Sequence, residues 1–232
     1  MTLESGVALR LPPQSKFLLA KTDFVLQSYH MNPNWAEENL QTIRTLMERS
    51  ALYRRALAPI MIFIGLVGLA AAAGGMLFRL KPDWTIFGLW PGAALVAVTG
   101  AFLIARRQAI KERTPFWSPP TRRVAQALLP PLTAGMCMTL VFKVIGLEML
   151  LPLIWALFYG CALHSAGFFM PRGIKYFGWI YIGLASGILV YFALSGDDFQ
   201  INDHWLMGFF FGALQLAYGI YLCFTEKKNL AA

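Results

Sequence analysis

Charge is scarce in this sequence: Asp, Glu, Lys and Arg make up 14% of its 232 residues, where soluble chains carry roughly a quarter. That shortage excludes an ordinary water-solvated domain as the bulk of the chain. Cysteine is scarcer still. Cys137, Cys161 and Cys223 are an odd set with no C-x-x-C spacing, so neither a disulfide framework nor a zinc site follows from them. The histidines are His30, His164 and His204, and no H-E-x-x-H, phosphate-cradling glycine loop or Ser-His-Asp order accompanies them. Enzyme catalysis, a cofactor and a metal therefore have no positive support in the residues.

What is abundant is apolar surface, with 57% hydrophobic residues and a mean hydropathy of +0.55. It is gathered into six runs, 56–78, 85–105, 124–145, 149–169, 174–194 and 205–224. Each is close to the roughly 20 residues that cross a bilayer as a helix. Backbone in lipid must satisfy its own polar groups, and continuous runs do this as helices, unlike the short alternating segments of a closed barrel. The expected fold is all-α, an integral membrane bundle of six transmembrane helices in three hairpins, preceded by a cytoplasmic amphipathic helix. Its divisions are a poorly ordered tail over 1–33, a juxtamembrane helix over 34–55, a membrane domain over 56–224 and a cytoplasmic tail over 225–232.

The connections between runs differ in sign. With the N-terminus inside, all of the 20 Lys and Arg residues except Arg79, Lys81 and Lys143 fall on or near the cytoplasmic side, as the positive-inside rule requires. The acidic stretch "SGDDFQINDHW" falls outside. The net charge of +8 then reads as contact with the bilayer surface. Nucleic acid is not expected as a direct partner, because the basic residues flank apolar runs and form no separate basic domain with base-reading aromatics. The expected location is the bacterial inner membrane, multi-pass, with both termini cytoplasmic. The first run is expected to be retained, since no compact apolar core with a small-residue cleavage site precedes it.

Small residues mark faces where helices approach closely in lipid. Gly88 and Gly92, Gly183 and Gly187, and Gly208 and Gly212 each form G-x-x-x-G, and Ala70 to Gly75 is nearly free of side chain. Two further pairs stand seven apart, Gly160 with Gly167 and Gly212 with Gly219. These faces predict packing within the chain, with a homo-oligomer seam as the alternative. Pro91 and the pair Pro130-Pro131 fall inside runs, where a missing amide hydrogen predicts a bend or break.

Polar residues inside the runs are the candidate functional groups, because they are costly at that depth. His164, Gln215, Tyr159 and Tyr218 form the candidate intramembrane polar site, with hydroxyls also available from Thr99, Thr133, Thr139 and Ser186. His164 has no second histidine in another run for a bis-histidine haem site, so a hydrogen bond across helices, to Gln215 or a tyrosine, is its expected role. Asp197, Asp198, Asp203 and His204 could gather around a cation, but their spacing matches no calcium loop or zincin signature. Asn202 or Asp203 is instead expected to cap the sixth helix, with Trp205 at the interface.

Outside the runs, "NPNWAEENLQTIRTLMERSALYRRALAPIM" reads as a capped helix that enters lipid at its end. Asn34 and Glu37 stand at capping-box spacing, and Ala36, Leu40, Ile43, Met47 and Ala51 recur on one face. Arg44, Arg49, Arg54 and Arg55 are the candidate contacts for anionic lipid or a cytoplasmic protein partner. "ENLQTIRTLMERSALYRRALAP", with the later "LLPLIWALFYGCAL" and "FGALQLAYGIY", resembles a loosely defined group of uncharacterised bacterial multi-span membrane proteins. That resemblance implies a helix bundle behind the helix, and assigns chemistry to no residue. It also implies a start near the helix, which makes Met31 a candidate first residue and 1–30 an added tail.

Two function classes follow. The first is a non-enzymatic regulatory, sensory or assembly protein that presents a cytoplasmic helix and basic loops to a partner. The alternative is a small-molecule or ion transporter or channel with a polar site near His164 and Gln215. The directions in which His164 and Gln215 point separate them: a hydrated cavity favours transport, and burial against neighbouring helices disfavours it.

Overall fold

The computed structural model describes residues 33–78, 85–111, 113, 116–195 and 202–230. They are all-helical, with no strand among the described residues. Six segments are long and apolar enough to cross a membrane: Leu57–Leu77, Phe87–Lys111, Thr121–Val144, Glu148–Ala166, Arg172–Ser195 and Asp203–Thr225. The tail over 1–32 and the acidic pair Asp197 and Asp198 lie outside the described residues, as do Arg79, Lys81 and Asp83.

The chain divides into two compact units, Met1–Arg49 and Ser50–Ala232. In the first, helix α1 (Pro33–Leu77) begins at Pro33, a residue whose fixed φ suits a first helical position. Asn34 therefore falls within the first turn, where the capping-box reading put it just outside. Leu40 is exposed on this stretch. The side chains of Arg44, Arg49, Arg54 and Arg55 lie outside the described residues.

In the second unit, the last part of α1 is followed by a π-helical turn (Thr85–Leu89) leading into α2 (Trp90–Lys111). Next come α3 (Pro119–Val144), a 3-10 turn (Glu148–Leu150) and α4 (Leu151–Ala166). Helix α5 (Arg172–Ser195) precedes a sixth segment built of three pieces: α6 (Asp203–Met207), a π-helix (Gly208–Leu214) and α7 (Gln215–Leu230). The core is shared by four of these segments, with Met61 from α1, Leu153 and Ala156 from α4, Tyr181 from α5 and Phe210 from the sixth. The second and third segments lie at the periphery: none of the second and 6% of the third is buried, against 44% of the fourth.

Glycine makes the two closest seams possible. A Cβ on Gly178 of α5 would lie 2.6 Å from the backbone nitrogen of His164 on α4, and one on Gly160 would lie 2.8 Å from Tyr181 Cβ. The pairing of Gly160 with Tyr181 and Gly167 with Lys175 runs antiparallel. The same reading applies to α1 against the sixth segment, where Gly75 meets His204, Gly212 meets Leu69 and Gly219 meets Ile62. Each glycine pair spaced by seven thus presents one face to one neighbour, as two helical turns require. Gly208 and Gly212 also pack inward, on Ala72 and Leu69. Gly92, Gly183 and Gly187 do not: a Cβ there would meet nothing within 4 Å, and Gly88 is exposed. Two of the three G-x-x-x-G faces therefore look outward from this chain.

The prolines interrupt less than their positions suggest. Pro91 lies in the first turn of α2, directly after the π turn, where its missing amide is least costly. Pro130 and Pro131 lie within an unbroken α3. Thr133 Oγ1 donates to the Pro130 carbonyl at 2.9 Å, so a hydroxyl from the same helix satisfies a backbone acceptor beside the prolines. Gly146, with φ +75, turns the chain between α3 and the next helix in a conformation that favours glycine. Beside it, Lys143 and Glu148 form an ion pair at 2.7 Å.

Candidate functional site

Among the described residues, Gln215 is a polar side chain that is fully buried. It stands at the junction where the π-helix ends and α7 begins, and its backbone N–H bonds to the Gly212 carbonyl. Its Nε2 donates to the hydroxyl of Tyr159 on α4. Beside this pair, the hydroxyl of Tyr181 on α5 donates to the carbonyl of Phe210. Phe210 belongs to the π-helix, whose wider turn changes the course of backbone bonding. Three elements, α4, α5 and the sixth segment, are thus joined by one amide, two phenols and one carbonyl.

Aromatic rings close the site. Tyr159 meets Tyr181 and Phe211 edge-on, with centroids 5.3 Å and 5.2 Å away, in the geometry that opposed ring quadrupoles favour. Phe177 and Tyr218 stack at 4.1 Å, nearly parallel at 10°. The Oε1 of Gln215 is buried with no hydrogen-bond partner. Such an acceptor is costly in apolar surroundings, and it leaves this amide incompletely satisfied. An amide and two phenols keep their protons around neutral pH. They supply hydrogen bonds and hold helices in register.

Of the four residues of the candidate polar site, the structure brings together Gln215 and Tyr159. Tyr218 borders them only through its ring, stacked on Phe177, while its hydroxyl lies over Gly173. His164 is also apart: its ring meets Phe168 and Trp179 edge-on at 5.4 Å and 5.2 Å, and its Nδ1 is buried without a partner. The hydrogen bond expected between His164 and Gln215 or a tyrosine is not formed, because the ring is turned into the pocket of Phe168 and Trp179. Tyr181 was missed by the sequence reading, although a tyrosine in the middle of the fifth run was a visible signal. Thr139, one of the named hydroxyls, accepts from Trp155 Nε1 at 3.0 Å and links α3 to α4.

At the far end of the sixth segment, Asn202 caps α6, its Oδ1 accepting from the His204 backbone N–H at 2.9 Å. His204 is buried, with its ring against Gly75 and 6.3 Å from Trp90. Among the described residues, no group of three or more His, Cys, Asp or Glu side chains could hold a metal ion.

No family model, curated protein or solved structure matches the chain.

Proposed function

We propose that this is a multi-pass protein of the bacterial inner membrane, with both termini cytoplasmic, that works as a non-enzymatic regulatory, sensory or assembly protein. Its bundle, three hairpins in this reading, anchors the helix that carries Arg44, Arg49, Arg54 and Arg55 and presents it to a cytoplasmic protein. The observation that carries this reading is the burial of Gln215. A transport path needs polar groups that meet water or solute. Here the amide is enclosed, bonded to Tyr159 and bordered by aromatic rings, and His164 packs against Phe168 and Trp179. The distribution of Lys and Arg supports the sidedness.

The test places a photo-crosslinking residue at Leu40, which is exposed, in the full chain within native membranes. One reproducible protein adduct is expected, and it is lost when Arg44, Arg54 and Arg55 are together replaced by Glu while thermal unfolding of the bundle is unchanged. Adducts with lipid alone, or solute flux in proteoliposomes that depends on Gln215, would overturn the reading.

A further inference from the structure

His204 retains 7% of its surface exposure, and its Nδ1 has no hydrogen-bond partner. The Asn202 cap fixes the backbone of this first turn, and the ring enters the seam between α1 and the sixth segment. There it lies directly on Gly75, where a Cβ would collide with Cε1, Nδ1 and Nε2 of the imidazole. Trp90 of α2 faces the same ring, and its own Nε1 is buried without a partner. Three helices thus meet at one imidazole with little polar compensation.

Among the described residues, the charged groups at this end belong to other elements or to the preceding residue. Asp203 adjoins His204 on α6 and is half-buried. Glu148, in the turn before α4, interacts electrostatically with Asp203 and is ion-paired with Lys143 of α3. Over this end α1 contributes Gly75, and the start of α2 contributes Trp90, neither titratable. Arg79, Lys81, Asp83, Asp197 and Asp198 lie outside the described residues.

A neutral imidazole tolerates this position, because the tautomer with hydrogen on Nε2 leaves the buried Nδ1 as a bare lone pair, with no second N–H to satisfy in the seam. Taking a proton from solvent adds an N–H at Nδ1, beside Gly75 and without an acceptor among the described residues, and places a positive charge in the seam. A buried, unpaired charge is strongly unfavourable. We propose that His204 is a proton-operated latch: neutral, it holds α1 against the sixth segment, and proton uptake drives the ring out and loosens this end of the seam. The latch stands independently of whether a protein binds the helix that precedes the bundle.

The full chain in mild detergent provides the test. The contribution of Trp90 to tryptophan emission is taken as the difference between the wild type and Trp90→Phe. As pH falls from about 8 to 4, the range in which histidines titrate, this component is expected to shift reversibly to longer wavelength. It also becomes more open to quenching by acrylamide, as the half-buried indole with its enclosed Nε1 meets water. In His204→Gln the shift is lost. In Gly75→Ala, whose methyl displaces the ring, the component is expected to be shifted and quenchable already at about pH 8, with no further response to acid. An unchanged wild-type component across the range, the same acid shift in His204→Gln, or a wild-type response in Gly75→Ala would each overturn the latch. The alanine variant decides the matter where the glutamine variant does not fold.

Discussion

Gln215 is fully buried, with one end of its amide bonded to Tyr159 and the other bare. Removing the phenol should therefore expose the cost of enclosing the amide. Tyr159→Phe is expected to destabilise the bundle by about 1–2 kcal/mol, read as a lower thermal midpoint in detergent. Adding Gln215→Leu to that variant should recover most of the loss, since no orphaned amide remains. Equal midpoints for Tyr159→Phe and wild type would show that this bond contributes nothing. Both residues were legible in the sequence because a polar group stands out in an apolar run. Their partners were less legible, since position along a run gives depth and leaves direction around the helix open. That is why His164, at a plausible depth, lies instead with Phe168 and Trp179, and why Tyr181 completes the core.

Among the helices, the glycines set where backbones touch, and identical motifs have different roles. Gly178 opposes the His164 backbone, whereas Gly183, five residues further along α5, faces open space. Gly178→Val is expected to wedge α4 from α5 and to cost about 1–3 kcal/mol. Gly183→Val should change stability by no more than about 0.5 kcal/mol, as surface substitutions usually do. Thermal unfolding of the two variants side by side checks the contrast, and equal losses would contradict the seam described here. The π-helical pieces at Thr85–Leu89 and Gly208–Leu214 were not foreseen, because an apolar run fits a wide turn as well as an ordinary one. The continuity of α3 through Pro130 and Pro131 depends on contacts such as the Thr133 hydroxyl, which composition does not reveal.

For the whole molecule, the proposed orientation makes a direct prediction. With Cys137, Cys161 and Cys223 replaced by Ala, a single cysteine at Ser118 should react with a membrane-impermeant thiol reagent only from the cytoplasmic side. One at Gly146 should react only from the other side. The reverse pattern in sealed vesicles would invert the topology. By itself the sequence determined the number of long apolar helices and the scarcity of polar groups within them, because each run's length and composition are local properties. It also carried the charge asymmetry on which the orientation rests. Only the tertiary structure decided which faces touch: why Gly212 packs on Leu69 while Gly187 faces outward, and why Gln215 finds Tyr159 while His204 settles on Gly75. The reason is physical. In a segment suited to lipid, the side facing lipid and the side facing protein are both apolar, so hydrophobic periodicity does not distinguish them. Close fit between particular backbones and a few hydrogen bonds makes that choice.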